Sequence, residues 1–246
     1  MLKCFYADLH IHTCLSPCAD LTMSPKRIVE QAMAKKLDII AICDHNSAEN
    51  VHATLRTVPD KKITVLCGME VTSTEEVHLL ALFDEVKRVL NLQEIVYANL
   101  TPGENKEDLF GEQIIANEFD EVKGYNKRLL IGATNLTLKE LVNKIHEFDG
   151  VAIASHIDRE TYSIIGQLGF IPKDLELDAL EISSKTNQND ALNKFPEIKK
   201  FPVIFSSDAH FLKDIGRATT SFLIEEPTLN EIRKALENRD GRKVII

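Results

Sequence analysis

The stretch from Asp8 to Asn46 constrains the fold more than any other part of this chain. It reads DLHIHTCLSPCADLTMSPKRIVEQAMAKKLDIIAICDHN. His10 and His12 follow the run Cys4–Leu9. Residues i and i+2 of a strand point to one side, so both imidazoles reach the same region beyond the strand's end. A second apolar run, Ile39–Cys43, also ends in an ionisable pair, Asp44-His45. Between the two, Ser24 predicts an N-cap and Pro25 a first helical position, with Ile28, Val29, Ala32 and Met33 at helical spacing. Strand, helix, strand with imidazoles at both strand ends predicts an α/β fold of the βα-barrel kind, with metal ligands on its catalytic face.

The same alternation runs through the rest of the chain. Ser47–Leu55 predicts a short helix, Ile63–Met69 a strand ending in Glu70, Val77–Phe83 a strand with His78 near its start, and 84–98 a helix. Residues 99–132 are polar, hold Pro102 and several glycines, and fit no strand-helix unit; they predict an inserted helical or loop segment, a candidate lid. Then come a capped amphipathic helix from Thr137 to Phe148, the strand Val151–Ser155 ending in His156, a strand 178–183 and a helix 190–200. Val203–Ser207 leads into Asp208-Ala209-His210, and a strand 220–224, a helix 228–238 and a strand Val244–Ile246 close the pattern. One domain spanning 1–246, with the insert at about 99–132, is the expected organisation.

Composition excludes several classes. A formal charge of −9 suits poorly a protein that grips long nucleic acid through its phosphates. No apolar run approaches the roughly 18 residues of a membrane helix, and the N-terminus opens as a strand rather than a basic-then-apolar leader, so no membrane association and a cytoplasmic location are expected. Five cysteines at irregular spacing argue against a disulfide framework. Cys14 and Cys18 have no matching second pair, so no separate cysteine metal site is expected; Cys43 and Cys67 read as small core residues, and His52 and His146, on helices, as ordinary histidines.

The strand-end groups are His10, His12, His45, Glu70, His156, Asp208 and His210. They are too many for one zinc ion, which takes three or four ligands. In order, the motifs HIHT, the following Asp20, CDHN, GMEV, VHLLA, SHIDR and SSDAH resemble those of the PHP (polymerase and histidinol phosphatase) family, over all of the chain but the insert. The resemblance implies a distorted (β/α)7 TIM-like barrel with a metal site at the C-terminal ends of the strands. It adds His78 and Asp20 to the ligands. His10, His12, Glu70 and Asp208 would hold one ion, Glu70 would bridge to a second held also by His78 and His156, and Asp20, His45 and His210 would hold a third. The Asp20 segment departs from the family's usual Ser-Asp-Gly, reading Cys18-Ala19-Asp20.

Two or three divalent ions are implied, with zinc, manganese and iron all compatible with mixed imidazole and carboxylate donors. Such a trinuclear centre attracts a phosphate dianion and lowers the pKa of a bridging water, whose hydroxide would attack phosphorus. Catalysis is expected to rest on Glu70, Asp208 and His210. Arg159 and Arg217 are the candidate phosphate grips, and Asp44 a candidate acceptor for a ligand imidazole. The resulting expectation is a hydrolase, a phosphoesterase acting on a small phosphorylated metabolite or nucleotide. The near alternative is a 5′-3′ exonuclease trimming short oligonucleotides. The non-enzymatic alternative is an accessory module of the kind found in polymerases, and C–N hydrolysis is a third possibility.

Overall fold

The computed structural model describes residues 1–59, 62–186 and 188–245. Its first half contains β1 (Lys3–Ile11), α1 (Pro25–Ala34), β2 (Ile39–Ile42), α2 (Val51–Arg56), β3 (Thr64–Thr72), β4 (His78–Phe83) and α3 (Val86–Asn99). An excursion follows, with α4 (Glu107–Phe110) and the strands β5 (Ile114–Ala116) and β6 (Val122–Tyr125). The chain then forms α5 (Leu138–Glu147), β7 (Val151–Ala154), α6 (Ile164–Leu168), β8 (Ala179–Ile182), α7 (Gln188–Lys194) and β9 (Val203–Phe205). It ends with β10 (Thr220–Ile224), α8 (Leu229–Leu236) and β11 (Lys243–Ile245).

Nine strands form one sheet in the order β11-β10-β1-β2-β3-β4-β7-β8-β9. The residues after β9 return to β1: Ile11 bridges Ala209, and the His12 amide donates to the Ala209 carbonyl at 3.0 Å. The sheet therefore curls into a nearly closed barrel, as expected for this α/β fold. It is not a uniform βα repeat. β4 runs antiparallel to both β3 and β7, and β10 and β11 extend the sheet antiparallel beyond β1. The β3–β4 link is too short to hold a crossover helix, which a parallel neighbour would need.

The barrel strands are buried on both faces, and their side chains divide by parity. Ala41, Leu66, Leu80, Leu82, Ile153, Ala179 and Ile204 fill the barrel, while Ile40, Ile42, Met69, Leu79, Ala154 and Leu180 meet the outer helices. Each leucine, isoleucine or methionine so removed from water contributes about 1.5–3 kcal/mol. Gly68 is required where β3 passes β2, because a Cβ there would lie 2.7 Å from the Ile42 carbonyl oxygen and from Cys43 Sγ. Outside the barrel, Thr137 and Glu140 form a reciprocal capping box at the start of α5, worth about 1 kcal/mol.

Three expectations shift. The helix expected from Ser47 starts at Val51, because the Ala48 amide and Ser47 hydroxyl are taken by Gln93 and Tyr97 of α3. The helix expected over 190–200 splits into α7 and a 3-10 turn, Pro196–Lys200, at a proline that has no amide to donate. The 99–132 segment is more than helix and loop: β5 and β6 form a small antiparallel hairpin. Asn50 ties it down, donating to the Ile114 carbonyl and accepting from the Ala116 amide. Ile246, the last residue of the expected closing strand, lies outside the described residues.

Candidate metal centre

Alternation along the strands places the site at one end of the barrel. Leu66 and Glu70 share a face of β3, and Ala179 and Glu181 a face of β8, so each interior column ends in a carboxylate. Leu9 already lies in the barrel interior, and a regular strand would turn His10 away from it. The β1–β2 register shifts between Asp8 and Ile11, which re-aims His10 at the site. The turns after β2, β7 and β9 carry positive φ at Asn46 (49°), His156 (29°) and Asp208 (51°). A side-chain-bearing residue is held there only where the surroundings impose it, and such strain gathers at functional sites.

Glu70 is the hub. Its Oε1 lies 3.3 Å from His10 Nε2, 3.0 Å from His78 Nδ1 and 3.2 Å from His156 Nε2. Its Oε2 lies 3.0 Å from His45 Nδ1 and 3.5 Å from His12 Nε2. Asp208 Oδ1 sits 3.1 Å from His12 Nε2 and 3.3 Å from His10 Nε2. Donors bound at 2.0–2.2 Å to a common ion stand about 3.0–3.5 Å apart, so these spacings fit coordination. Three groups of donors converge: His10, His12, Glu70 and Asp208; His45, Glu70 and His78; and His12, His45 and His210.

Hydrogen bonding alone does not account for the cluster. His10 Nδ1 faces both oxygens of Glu181 at 3.1 Å, so it donates there. His12 Nδ1 donates to Ser16 Oγ, whose own proton goes to Asp44. Both remaining Nε2 atoms then face each other at 3.1 Å, among carboxylate oxygens. His45 Nδ1 and His78 Nδ1 lie close to Glu70 yet form no aligned hydrogen bond, and His156 Nδ1 is also buried without a partner. The residues fit divalent ions.

The charges agree. Burial disfavours a charged His10, but Glu181, Glu70 and Asp208 overcome it and hold the imidazole well above its ordinary pKa. Burial likewise opposes the Glu70 carboxylate, yet the His78 and His10 charges hold its carboxyl well below the usual range. His12 and His78 are instead held below their ordinary value, by burial and by the neighbouring imidazoles.

Of the groups behind the ligands, the sequence pointed to Asp44 alone. Glu181, fully buried, aims His10 and also accepts from the His156 amide at 3.1 Å. Asp44 does serve an imidazole, but His12 through Ser16 rather than its neighbour His45; it also accepts from the Thr13 amide and hydroxyl. Asn46 donates to the Leu130 and Gly132 carbonyls, both at 2.8 Å. That clamp puts Ile131, from the end of the insert, on the wall of the pocket over the centre. The signal for Glu181 was present: it occupies the inward face of the apolar strand ALEI.

Two expected residues do not join the cluster. Asp20 turns back on its own loop, accepting from the Thr22 amide at 2.9 Å and the Thr22 hydroxyl at 2.5 Å. Cys18 is the loop residue nearest these imidazoles, its sulfur 3.1 Å from His210 Nε2. Burial alone would raise the Cys18 thiol, but His45 and His210 pull it down to about 6. Cys14 points away, toward the Ile114 carbonyl, and burial pushes it up to about 12. Arg217 lies outside the pocket, 63% exposed and 3.8 Å from Asp214, because the 3-10 turn Leu212–Asp214 carries it to the surface. Arg159 does line the pocket: its guanidinium pairs with Asp208, and its Nε is buried without a partner. Tyr162 stacks on His78 at 4.6 Å and forms the rim.

His52 is exposed, and His146 pairs with Asp178 at 2.9 Å; both lie outside the cluster. All five cysteines are free. Among the described residues, no helix is long and apolar enough to cross a membrane.

Comparison with known proteins bears on the fold and the family. The uncharacterized protein MJ1587 of Methanocaldococcus jannaschii is 26% identical over 209 residues, 80% of this chain and 93% of that protein. The lesion-specific endonuclease PfuEndoQ of Pyrococcus furiosus superposes with a TM-score of 0.80 at 21% identity. That match covers 99% of this chain, which spans only 58% of the endonuclease. A candidate metal-dependent phosphoesterase of Bifidobacterium adolescentis has a TM-score of 0.60 at 18% identity, covering 95% of this chain and 96% of its own. The sequence matches the PHP domain over residues 8–163 and the PHP-associated segment over 186–240. The chain therefore belongs to the PHP family.

Proposed function

We propose that this chain is a metal-dependent phosphoesterase that releases phosphate from a small phosphomonoester, a phosphorylated metabolite or nucleotide. The observation carrying the proposal is the Glu70-centred cluster, which opens into a pocket of about 160 Å³ walled by Arg159, Tyr162 and Ile131. His10, His12, Glu70 and Asp208 would hold one ion, Glu70, His78 and His156 a second, and His45 and His210 would contribute to a third. Zinc, manganese or iron ions bound there supply Lewis acidity toward phosphoryl oxygens and acidify water.

The chain's own groups do the rest. Glu70 offers one oxygen to each side of the centre. Asp208 holds Arg159 at the mouth, where the exposed part of its guanidinium can take phosphate oxygens. Glu181 and the Ser16–Asp44 pair keep His10 and His12 in the tautomers that present Nε2. Tyr162 and Ile131 stand on the pocket wall beside the ligands, so the remainder of the substrate would lie against them. A purified, metal-loaded protein assayed on a panel of phosphomonoesters tests this. Turnover well above that of His12→Ala, with zinc, manganese or iron, is expected; equal turnover would reject the reading.

A second reading, hydrolysis of a phosphodiester at the end of a short oligonucleotide, has one observation in its favour. Tyr162, 41% exposed, presents an aromatic face beside the centre on which a base could stack. The endonuclease likeness lends fold support alone, and the charge of −9 disfavours long duplexes. Activity measured against oligonucleotide length separates the readings: a phosphomonoesterase is fastest on mononucleotides.

A further inference from the structure

We propose that Cys18 is a metal ligand, and that its sulfur joins His45 and His210 to make the outer position of the centre a mixed sulfur–nitrogen site selective for zinc or iron(II). The inference rests on the metal-dependent reading above. It concerns a residue type that a hard oxygen-donor site does not contain.

Three observations converge. His210 Nδ1 is committed to the Asp208 carbonyl at 2.9 Å, so the nitrogen facing Cys18 Sγ at 3.1 Å is the one left with a lone pair. His210, His45 and His12 bring nitrogens close enough to share one ion, and the Cys18 sulfur touches one member of that group, His210. The carboxylate that could have served, Asp20, is engaged by Thr22, and its own amide donates to the His210 carbonyl at 2.9 Å. That amide bond fixes the loop with Cys18 rather than Asp20 turned toward the imidazoles. The loop between His12 and α1 is also tied from within: the Ala19 amide donates to the Ser16 carbonyl and the Cys14 amide to that of Met23. Sulfur is thereby presented from a defined turn.

Metal preference follows. Thiolate donors favour zinc and iron over manganese, magnesium or calcium, so the outer ion differs from those held by Glu70 and Asp208, where imidazole and carboxylate accept manganese as readily. On binding, the thiol proton leaves for solvent and the sulfur lone pair bonds to the ion, with no redox change.

The test uses the full chain. Cobalt(II) added to metal-free protein is expected to give a near-ultraviolet sulfur-to-cobalt charge-transfer band, retained in Asp20→Asn and lost in Cys18→Ser. In the unmutated protein, zinc is expected to slow modification of one reactive thiol by a disulfide reagent on the order of tenfold or more, since a coordinated sulfur is a weak nucleophile. No band, a band that survives Cys18→Ser, or an unchanged thiol reaction rate would overturn the proposal. The two readings fail separately. A cobalt–sulfur band without phosphate release would overturn the phosphoesterase reading alone, and phosphate release without the band would overturn the Cys18 assignment alone.

Discussion

The inner and outer halves of the centre are built differently. The inner half, around Glu70, His10, His156 and Asp208, sits at the ends of barrel strands and is buried in the fold. Each of its members is aimed by backbone register, by a left-handed turn or by a buried acid such as Glu181. The outer half, with Cys18, His210, Arg159 and Tyr162, is carried by loops, is partly exposed, and is positioned by contacts between segments far apart in the chain. The inner half cannot move without disturbing the barrel. The outer half can vary with little cost to the fold, and His210, Arg159 and Tyr162 line the pocket.

The sharpest way to break this contrast is at the hub. Glu70→Gln removes the shared carboxylate charge from five imidazoles; phosphoester turnover should fall by at least about 10³-fold and bound metal should be lost, as checked by elemental analysis. Glu181→Gln comes next. It leaves every ligand in place but weakens the acceptor that fixes His10, so metal affinity should fall about 10–100-fold, measured by competition with a chelator. An unchanged affinity would mean that the buried layer behind the ligands is dispensable.

What the sequence revealed follows the same division. His10, His12, His45, Glu70, His156 and Asp208 were legible because each ends an apolar run, and strand geometry converts that position into a direction. His78 opens its strand instead, and β4 runs antiparallel, which brings its start to the same end of the barrel. Periodicity carries no information on strand direction, so only the motif resemblance singled it out. Asp20 and Arg217 lie apart from the cluster for the opposite reason. Both lie in loops, where spacing along the chain does not say which of two nearby side chains turns inward. Glu181 was read only as part of the strand 178–183, and the Asn46 clamp on residues 130–132 joins partners too distant in sequence for any local pattern to reveal.

Smaller effects sharpen the outer half. Arg159→Ala should raise KM for a phosphomonoester about tenfold with a smaller change in kcat, because it loses a grip on the phosphate; Arg217→Ala, away from the pocket, should leave both within about twofold. Steady-state kinetics on the two variants decides whether Arg159 is the anion contact. The smallest effect lies away from the site. The Asp178 hydrogen bond holds His146 above its ordinary pKa of 6.5. A raised histidine pKa stabilises the fold fully below the unfolded value, and the stabilisation is lost as pH rises through the folded one. His146→Ala should therefore cost more at pH 5.5 than at pH 9, by about 0.5 kcal/mol given the pair's partial exposure, as read from denaturant unfolding at both pH values.

The most direct test of the central claim is anomalous diffraction from a metal-loaded crystal soaked with inorganic phosphate. The account predicts two or three ions, two of them sharing the Glu70 carboxylate, with donor distances of about 2.0–2.3 Å and a phosphate reaching toward Arg159. Ions bound elsewhere, or a Glu70 carboxylate that touches only imidazole nitrogens at full metal loading, would contradict it.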